Sequence, residues 1–359
     1  MTRPERAAAD ATLRDGRRAT KNPTIFDVAA VAGVSKSTVS NVVRGADDVA
    51  ESTRARVLDA ISRLNYKPNA IARQFVRQRT TMLGVLVGDL DNPYYAQMAR
   101  VVEREAFRCG YTAMFCNIEG EEEIALAGVE ALLEHRIAGV VFLAFISRTP
   151  QLEEALRRAE VPIVFLGLSE QWGDSVGPED SAGARLAVEH LLELGHERVA
   201  YVRTPLVEHS GDRARFAGYR SAMRQADLPT LPPLAWTPGS DVVVVGRRRL
   251  ALGEALREGE RPTGLFVSND IGAISMMEAC EQIGIAVPAD LSIVGFDDIS
   301  IAALHRISLT TVAQPLDFQA ERAVGLLLER IEKPRLRPRH VSAPVELRVR
   351  GSTAAPPAG

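Results

Sequence analysis

The sequence predicts two folded parts: an all-α helix-turn-helix head and an α/β body of two lobes with parallel sheets. Two short helical patterns meet at Gly33, before residue 68. From Leu83 onward, short β-rich runs alternate with helical patterns, as in parallel sheets covered by helices on both faces. The chain has 359 residues, whereas one hydrophobic core usually supports no more than roughly 250 to 300.

The charge of the chain is distributed unevenly. Residues 1–80 carry 15 Lys and Arg against 8 Asp and Glu, whereas the remaining residues carry 28 against 38. A basic segment attached to an acidic body indicates a polyanion-binding module beside a domain that repels nucleic acid. A solvated charged tail is the alternative that charge alone leaves open.

The composition argues against several other classes of protein. Cys109, Cys116 and Cys280 form no Cys-x-x-Cys pair, so we expect reduced, buried thiols and neither a zinc site nor a disulfide framework. No apolar run approaches the roughly 18 residues of a membrane span, and residues 1–23 lack an apolar signal core, so we expect a cytoplasmic protein. Common nucleotide-binding, hydrolase and metalloprotease motifs are missing from the sequence, so we expect no enzyme, no metal and no cofactor.

Residues 23–68 have the spacing of a helix-turn-helix. Thr24 stands three residues before Asp27, a pairing that is typical of a helix start. Apolar residues then recur at helical spacing as far as Ala32. Gly33 follows as the turn residue, because glycine carries no Cβ penalty in a left-handed conformation.

Two further helices are predicted after this turn. Ser35 can cap a second helix from Lys36 to Val43, and a third helix from Ser52 to Leu64 completes a small core. The arrangement favours a DNA-binding helix-turn-helix, with an ordinary helical hairpin as the alternative. Residues 1–22 show no hydrophobic period, so we expect a disordered arm there.

Four segments of this region share residues and spacing with a known family. They are Ile25-Phe26-Asp27-Val28-Ala29, Ala32-Gly33-Val34-Ser35, Thr38-Val39-Ser40-Asn41-Val42 and Leu64-Asn65-Tyr66-Lys67-Pro68-Asn69. In these segments the chain resembles the lactose repressor (LacI/GalR) family of bacterial transcriptional regulators. The resemblance implies a repressor that binds pseudo-palindromic operator DNA as a homodimer and responds to a small molecule, expected to be a carbohydrate.

The resemblance also implies which residues of the head contact DNA. In this family the start of the second helix enters the major groove, which assigns base contacts to Lys36, Ser37 and Asn41. Lys can donate to guanine O6 and N7, and Asn can bond adenine through both of its amide atoms. Phosphate contact or helix capping is implied for the hydroxyl residues Thr24, Ser35, Thr38 and Ser40.

Residues 69–81 are expected to form a hinge. Within it, the possible helical segment of residues 70–77 is too short to stay helical alone, since isolated helices below about 12 to 15 residues are marginal in water. In the resembled family two such segments pair in the minor groove and wedge side chains between bases. This implies minor-groove contacts by Asn69, Ala72, Arg73 and Phe75. Phe75 stands where the family most often has Leu, and an aromatic packed on the body is its alternative role.

Residues 82–351 carry the βα repetition of the body, which resembles the periplasmic sugar-binding fold used as the family's effector domain. Ligands of such folds bind at the carboxyl ends of the strands. Clusters that follow strands, together with positions that match the family, imply that the effector is bound by Asp89, Tyr94, Tyr95, Arg213, Arg215, Asn269, Asp297 and Gln314. Arg213, Arg215 and Gln314 are implied by the resemblance alone. The tyrosines are expected to stack on the ligand, whereas turn or capping roles are expected for Asp270 and Asp298. Gly167 stands where family members commonly carry a pocket Asp, which leaves a pyranose ligand an open question.

Two rival functions share this body. A solute-binding transport component would need an export signal and would have no helix-turn-helix, so residues 1–80 argue against it. The other rival is a DNA-binding protein whose activity is controlled by a protein partner or is not controlled at all. The sequence does not distinguish this rival from a repressor controlled by a small molecule. Residues 352–359 are expected to form a flexible tail, and their lack of leucine heptads argues against a tetramer.

Overall fold

The computed structural model of the chain describes residues 23–44, 46, 49–66, 80–143, 150–167, 173–204, 210–245, 248–257 and 261–357. The chain divides into two units, residues 1–79 and residues 80–359, which we call the head and the body. The predicted arm over residues 1–22 and the predicted minor-groove residues lie outside the described residues. Those minor-groove residues are Asn69, Ala72, Arg73 and Phe75.

The described part of the head is built from helices α1 (Ile25–Ala32), α2 (Lys36–Arg44) and α3 (Glu51–Arg63). The Asp27 carboxylate accepts hydrogen bonds from the backbone N–H and the hydroxyl of Thr24, both at 2.7 Å, which confirms the predicted helix start. Gly33 ends α1 at φ 64°, a left-handed conformation that suits glycine. Each helix contributes a fully buried valine to the core, namely Val28, Val39 and Val57.

The body alternates strands and helices, as predicted. In chain order its described elements are β1 (Met82–Val87), α4 (Pro93–Arg108), β2 (Thr112–Asn117), α5 (Glu122–Glu134), β3 (Gly139–Leu143), α6 (Pro150–Arg158), β4 (Ile163–Leu166), β5 (Asp174–Pro178), α7 (Asp180–Glu193), β6 (Val199–Arg203), α8 (Ser210–Gln225), β7 (Leu234–Trp236), β8 (Val242–Val245), β9 (Arg248–Ala251), α9 (Leu252–Arg257), β10 (Gly264–Val267), α10 (Asp270–Gln282), β11 (Ser292–Asp297), β12 (Thr310–Ala313), α11 (Leu316–Glu332), β13 (His340–Ala343) and β14 (Glu346–Arg348).

These elements form two lobes, each around its own sheet. Lobe 1 has the strand order β13-β5-β4-β3-β1-β2, and its neighbouring strands are all parallel. Lobe 2 has the order β14-β12-β11-β10-β6-β7-β8-β9, parallel from β12 to β7 and antiparallel at both margins. Strands β3, β4 and β10 are buried along their whole length, as expected where helices cover both faces of a sheet.

Within the described ranges, the chain passes between the lobes at three places. Strand β5 of lobe 1 leads into α7 of lobe 2 through residues 178–180. Strand β12 of lobe 2 leads through Gln314 and Pro315 into α11, which packs on α4 and on strands β3 to β5 of lobe 1. Strand β13 of lobe 1 then leads into β14 of lobe 2 through residues 343–346. The three short interlobe segments hold the two lobes next to each other, with a cleft between them.

The C-terminal residues up to 357 differ from the flexible tail that the sequence predicts. Ser352 is buried: its hydroxyl donates to the carbonyl of Ile293 at 2.6 Å and accepts from the backbone N–H of Thr310 at 2.8 Å. The Ala354 carbonyl lies 2.9 Å from Nε2 of His196, which is also buried. These polar attachments leave no hydrophobic period in the sequence, so the periodicity that guided the prediction could not reveal them.

Candidate functional site

The predicted DNA-reading residues lie at the start of α2, directly after the turn. Lys36 and Ser37 are exposed, and Asn41 is half-buried one turn further along the same helix. Ser35 caps the helix, since its Oγ accepts from the backbone N–H of Thr38 at 3.1 Å. The capping role predicted for Ser35 is therefore confirmed.

An aromatic side chain lies beside the first of these residues. Phe26, on α1, is 65% exposed, which is unusual for a large apolar side chain. The ammonium nitrogen of Lys36 lies 5.1 Å from the centre of its ring, within the range of a cation–π interaction. Phe26 belongs to one of the family segments, but its contact with Lys36 follows only from how α1 and α2 pack.

The candidate effector site is a cleft of about 370 Å³ inside the body. Its walls come from both lobes, at the carboxyl ends of β1, β6, β10 and β11. Six of the predicted effector residues line it, namely Asp89, Tyr94, Tyr95, Arg215, Asn269 and Asp297. The strand-end rule therefore brought together side chains that lie up to about 200 positions apart in the sequence.

Arg215 is the central cation of the cleft and is 5% exposed. Its Nε donates to Oδ1 of Asp180 at 2.8 Å, its Nη1 donates to the carbonyl of Ser268, and its guanidinium lies 3.7 Å from the centre of the Phe296 ring. Burial acts against the charge, but Asp180 and Asp297 outweigh it and raise the pKa of Arg215. The guanidinium is thus charged and held in one orientation.

Asp297 is the carboxyl group that faces the cleft from lobe 2. It ends β11 with φ 130°, a rare conformation for a residue other than glycine. Nε2 of Gln314 donates to its Oδ1 at 2.7 Å. Burial raises the pKa of Asp297 to about 8, so this carboxyl group holds its proton to a much higher pH than an ordinary Asp does.

Tyr94 contributes a phenol to the cleft from lobe 1. The side chain is 4% exposed, and its Oη has no hydrogen-bond partner among the residues that the structure describes. Burial raises the pKa of Tyr94 well above its usual value, so the phenol remains a neutral donor. A buried phenol without a partner is costly unless a ligand or water satisfies it.

Asn269 shapes the wall of the cleft. Its Oδ1 accepts from the N–H of Gly272 at 2.8 Å and caps α10, while its Nδ2 donates to the carbonyl of Thr204 at 2.6 Å. Both ends of the amide already bond within lobe 2. A ligand could therefore contact only the second lone pair of Asn269 Oδ1 or the second proton of its Nδ2.

Two predicted effector residues do not line the cleft. Arg213 is exposed: it lies two positions, about 200°, around α8 from buried Arg215, so the two arginines cannot share a face. The structure corrects the prediction for Arg213. Gln314 lies behind Asp297 and reaches the cleft only through that carboxylate.

Several lining residues were not predicted from the sequence, and neither was Asp180, which does not line the cleft but bonds Arg215. Thr204 follows β6 directly, so the strand-end rule could have found it. Asp180, which pairs with Arg215, begins a helix after an interlobe passage, and no motif marks it. Asp270 and Asp298 do not line the cleft, and both bond within lobe 2 in ways other than the expected helix cap: Asp270 accepts from the N–H of Ile299 at 2.9 Å, and Asp298 accepts from Arg350 at 2.6 Å.

The part of the chain that the structure describes has no group of His, Cys, Asp and Glu arranged to hold a metal ion. No described helix combines the length and the apolar character needed to cross a membrane.

Comparisons with known proteins agree with both parts of the chain. Residues 24–69 match the model of the bacterial regulatory proteins of the lacI family, and residues 188–353 match the periplasmic binding protein-like domain. The ribose operon repressor of Escherichia coli (strain K12) is 35% identical over 331 residues, which is 92% of this chain and 99% of that repressor. The chain belongs to the lacI family. It is an effector-controlled DNA-binding repressor of that family, and its relatives are repressors rather than enzymes.

Solved structures of this family share the fold. A crystal structure of the lac repressor dimer bound to operator and an anti-inducer has a TM-score of 0.78 at 29% identity and covers 93% of this chain and 100% of that one. A lacI-family regulator from Enterococcus faecium with bound ribose has a TM-score of 0.64 at 28% identity and covers 76% of this chain and 99% of that one. The two-lobed body and the helix-turn-helix predicted from the sequence are confirmed.

Proposed function

We propose that this repressor is a homodimer that holds a pseudo-palindromic operator in the cytoplasm, has no catalytic activity, and responds to a neutral sugar, D-ribose or a close relative. The observation that carries the proposal is the cleft, where Tyr94, Arg215 and Asp297 face one enclosed space. Hydroxyl groups of a sugar both donate and accept hydrogen bonds, and they match this mixture of phenol, guanidinium and carboxyl groups.

The charge of the cleft favours a neutral ligand over an anionic one. The charge of Arg215 is matched by Asp180, which bonds it directly. Asp89 and Glu119 also line the cleft. A phosphate or carboxylate would meet like charges there without an unmatched cation to offset them. The ribose bound to the Enterococcus faecium relative, a neutral pentose, has the chemistry that this arrangement favours.

The head supplies the sequence specificity in this proposal. Lys36, Ser37 and Asn41 read base edges in the major groove, while Thr24, Ser35, Thr38 and Ser40 set the register by contacts to phosphates. The hinge residues Asn69, Ala72, Arg73 and Phe75 enter the minor groove, with Phe75 as the wedge. Twofold pairing of two chains turns one half-site into an inverted repeat.

Ligand binding is coupled to DNA binding through the lobes. Closure of the cleft rotates the lobes about the three interlobe passages and moves the end of lobe 1 from which the chain continues to the hinge. A ligand shifts this equilibrium only by its different affinity for the two states, typically about 1 to 3 kcal/mol. We propose that ribose lowers the affinity of the repressor for its operator. If ribose were a corepressor, the same titration would show a higher affinity instead.

The test combines selection of DNA with ligand titration. The full-length protein is used to select duplexes from a random pool, and fluorescence anisotropy at moderate salt compares the best duplex with a scrambled one, with and without ribose. We expect an inverted repeat to be selected and ribose to weaken its binding. No preference for any inverted repeat would refute the DNA-binding proposal.

A thermal-shift panel tests the effector class separately. Ribose at 100 times its Kd is expected to raise Tm by about 5 °C or more, because a ligand stabilises the state it binds. D-Ribose 5-phosphate is the matched anionic control and is expected to have no effect. Stabilisation by the phosphate but not by ribose would contradict the proposed neutral effector.

A further inference from the structure

A chain of hydrogen bonds leads from the cleft to a buried glutamine in lobe 1. Gln319 lies in the first turn of α11 and is 0% exposed. Its Nε2 donates to Oε1 of Gln314 at 3.0 Å, and Nε2 of Gln314 donates to Oδ1 of Asp297 at 2.7 Å. We call these three residues the relay.

The relay connects the two lobes at an interlobe passage. Asp297 ends a central strand of the lobe 2 sheet, while Gln319 belongs to the helix that packs on α4 and on the sheet of lobe 1. Gln314 lies in the passage between them. A cleft carboxyl group of one lobe is therefore held by a helix of the other.

The direction of each hydrogen bond in the relay is determined by the bond before it. An amide offers a donor at one end and an acceptor at the other. Because Gln319 donates to the carbonyl oxygen of Gln314, the amino group of Gln314 must face Asp297. Oδ1 of Asp297 then has to accept, and any proton on this carboxyl group is confined to Oδ2, the oxygen left for the cleft.

Packing alone does not account for Gln319. Its Oε1 is a buried acceptor without a hydrogen-bond partner among the described residues. An apolar side chain of similar volume would fill the same space without this unsatisfied group. What the glutamine adds over such a side chain is the hydrogen bond that it donates to Gln314.

We infer that Gln319 is a positioning residue for the effector site: through Gln314 it orients the Asp297 carboxyl group toward the ligand and ties the cleft of lobe 2 to helix α11 of lobe 1. This inference rests on the proposed function only in taking the cleft as the effector site. The hydrogen bonds of the relay join protein groups only.

The first experiment therefore uses the ligand-free, full-length protein. Thermal unfolding is measured for the wild type, Gln319→Met, Asp297→Ala and the double variant, and then for the same four in a Gln314→Met background. Each single variant is expected to lower Tm by about 2 to 4 °C. With Gln314 present, the Tm of the double variant is expected to fall no further than the Tm of the less stable single variant, because both changes break the same chain of hydrogen bonds.

The Gln314→Met background distinguishes the relay from a general packing effect. In the Gln314→Met background the Gln319 amide has no relay partner, so Gln319→Met should lower Tm no further, and the effects of the two changes should be additive because nothing couples them. Additive losses in both backgrounds would overturn the inference. If Gln319→Met does not fold, Gln319→Leu replaces it in the same cycle.

The second measurement is the affinity for D-ribose by calorimetry. Gln319→Met is expected to raise Kd about 3- to 10-fold, in keeping with the loss of one hydrogen bond, and to have no further effect once Gln314 is Met. Val324→Ala, a buried substitution in the same helix, is the packing control and should leave Kd unchanged. An equal rise in Kd for Val324→Ala and Gln319→Met would overturn the inference. Failure of the wild type to bind ribose would refute the pentose proposal, while the ligand-free cycle still decides on the relay.

Discussion

The predicted DNA-reading residues of the head and the residues of the effector cleft differ in how far they are exposed and bonded within the protein. Lys36 and Ser37 are exposed within one short helix, ready for a partner that lies outside the protein. Arg215 and Asp297 are buried, are supplied by separate segments of lobe 2, and are already bonded to Asp180 and Gln314. A reading residue can therefore change without consequence for folding, whereas a cleft residue contributes to binding and to stability together.

The largest effect should come from Arg215, whose removal tests the second half of this comparison. Arg215→Met leaves Asp180 buried without its cation, and breaking a buried ion pair costs about 3 to 5 kcal/mol. We expect a loss of that size in urea unfolding and no measurable binding of ribose. Arg213→Met is the matched control: it removes the same charge from the exposed face of α8 and should stay within about 0.5 kcal/mol of the wild type. Comparable losses for both variants would mean that the buried pair has no special role.

The next largest effect should be a dependence of stability on pH that comes from the raised pKa of Asp297. Burial raises the pKa of Asp297 to about 8, while an unfolded Asp titrates near pH ~4. Between these values the folded protein keeps a proton that the unfolded chain has released. This contribution to stability is therefore complete below pH ~4 and is lost as pH rises through about 8.

Asp297→Asn should remove that dependence. The Tm of the wild type is expected to fall more steeply between pH 6 and pH 8.5 than the Tm of the variant, as measured by differential scanning fluorimetry. Glu332→Gln, at the exposed end of α11, is the control and should follow the wild type. Parallel curves for Asp297→Asn and the wild type would show that the carboxyl group is ionised throughout this range.

The same comparison explains how far the sequence could lead. The fold of the head follows from local signals, since Thr24, Gly33 and Ser35 each act within a few residues of their own position. Most of the cleft followed from one topological rule, that parallel strands end at the same edge of a sheet.

Residues that act through another residue could not be found in this way. Gln319 lies in an amphipathic helix like any other buried position, and only the bond to Gln314 distinguishes it. Asp180 is separated from Arg215 by 35 positions, and its role depends on how α7 packs against α8. Three-dimensional packing, rather than pattern, decides such pairs.

Among the reading residues, Lys36 should have a moderate effect that is confined to DNA. Lys36→Met is expected to weaken binding of the selected duplex by about 1 to 3 kcal/mol, roughly 5- to 150-fold, and to abolish discrimination at one base pair. Its Tm should match that of the wild type, because the side chain is exposed. Arg63→Met is the control, since it removes the same charge from an exposed position on α3. Any loss of affinity that it causes should be equal for all duplexes. A uniform loss for Lys36→Met would assign this residue to the phosphates instead.

The smallest effect should come from Phe26, because an exposed cation–π contact contributes only about 0.5 to 1 kcal/mol. The ring gives a flexible lysine one preferred direction, since the ammonium lies 5.1 Å from its centre. Phe26→Leu should therefore weaken the selected duplex about 2- to 5-fold and relax the same base pair that Lys36 reads, while Phe26→Tyr should leave both unchanged. In the Lys36→Met background, Phe26→Leu should have no further effect on anisotropy titrations. If Phe26→Leu weakens binding equally with and without Lys36, the ring contacts the DNA directly, and the exposed aromatic is itself part of the reading surface.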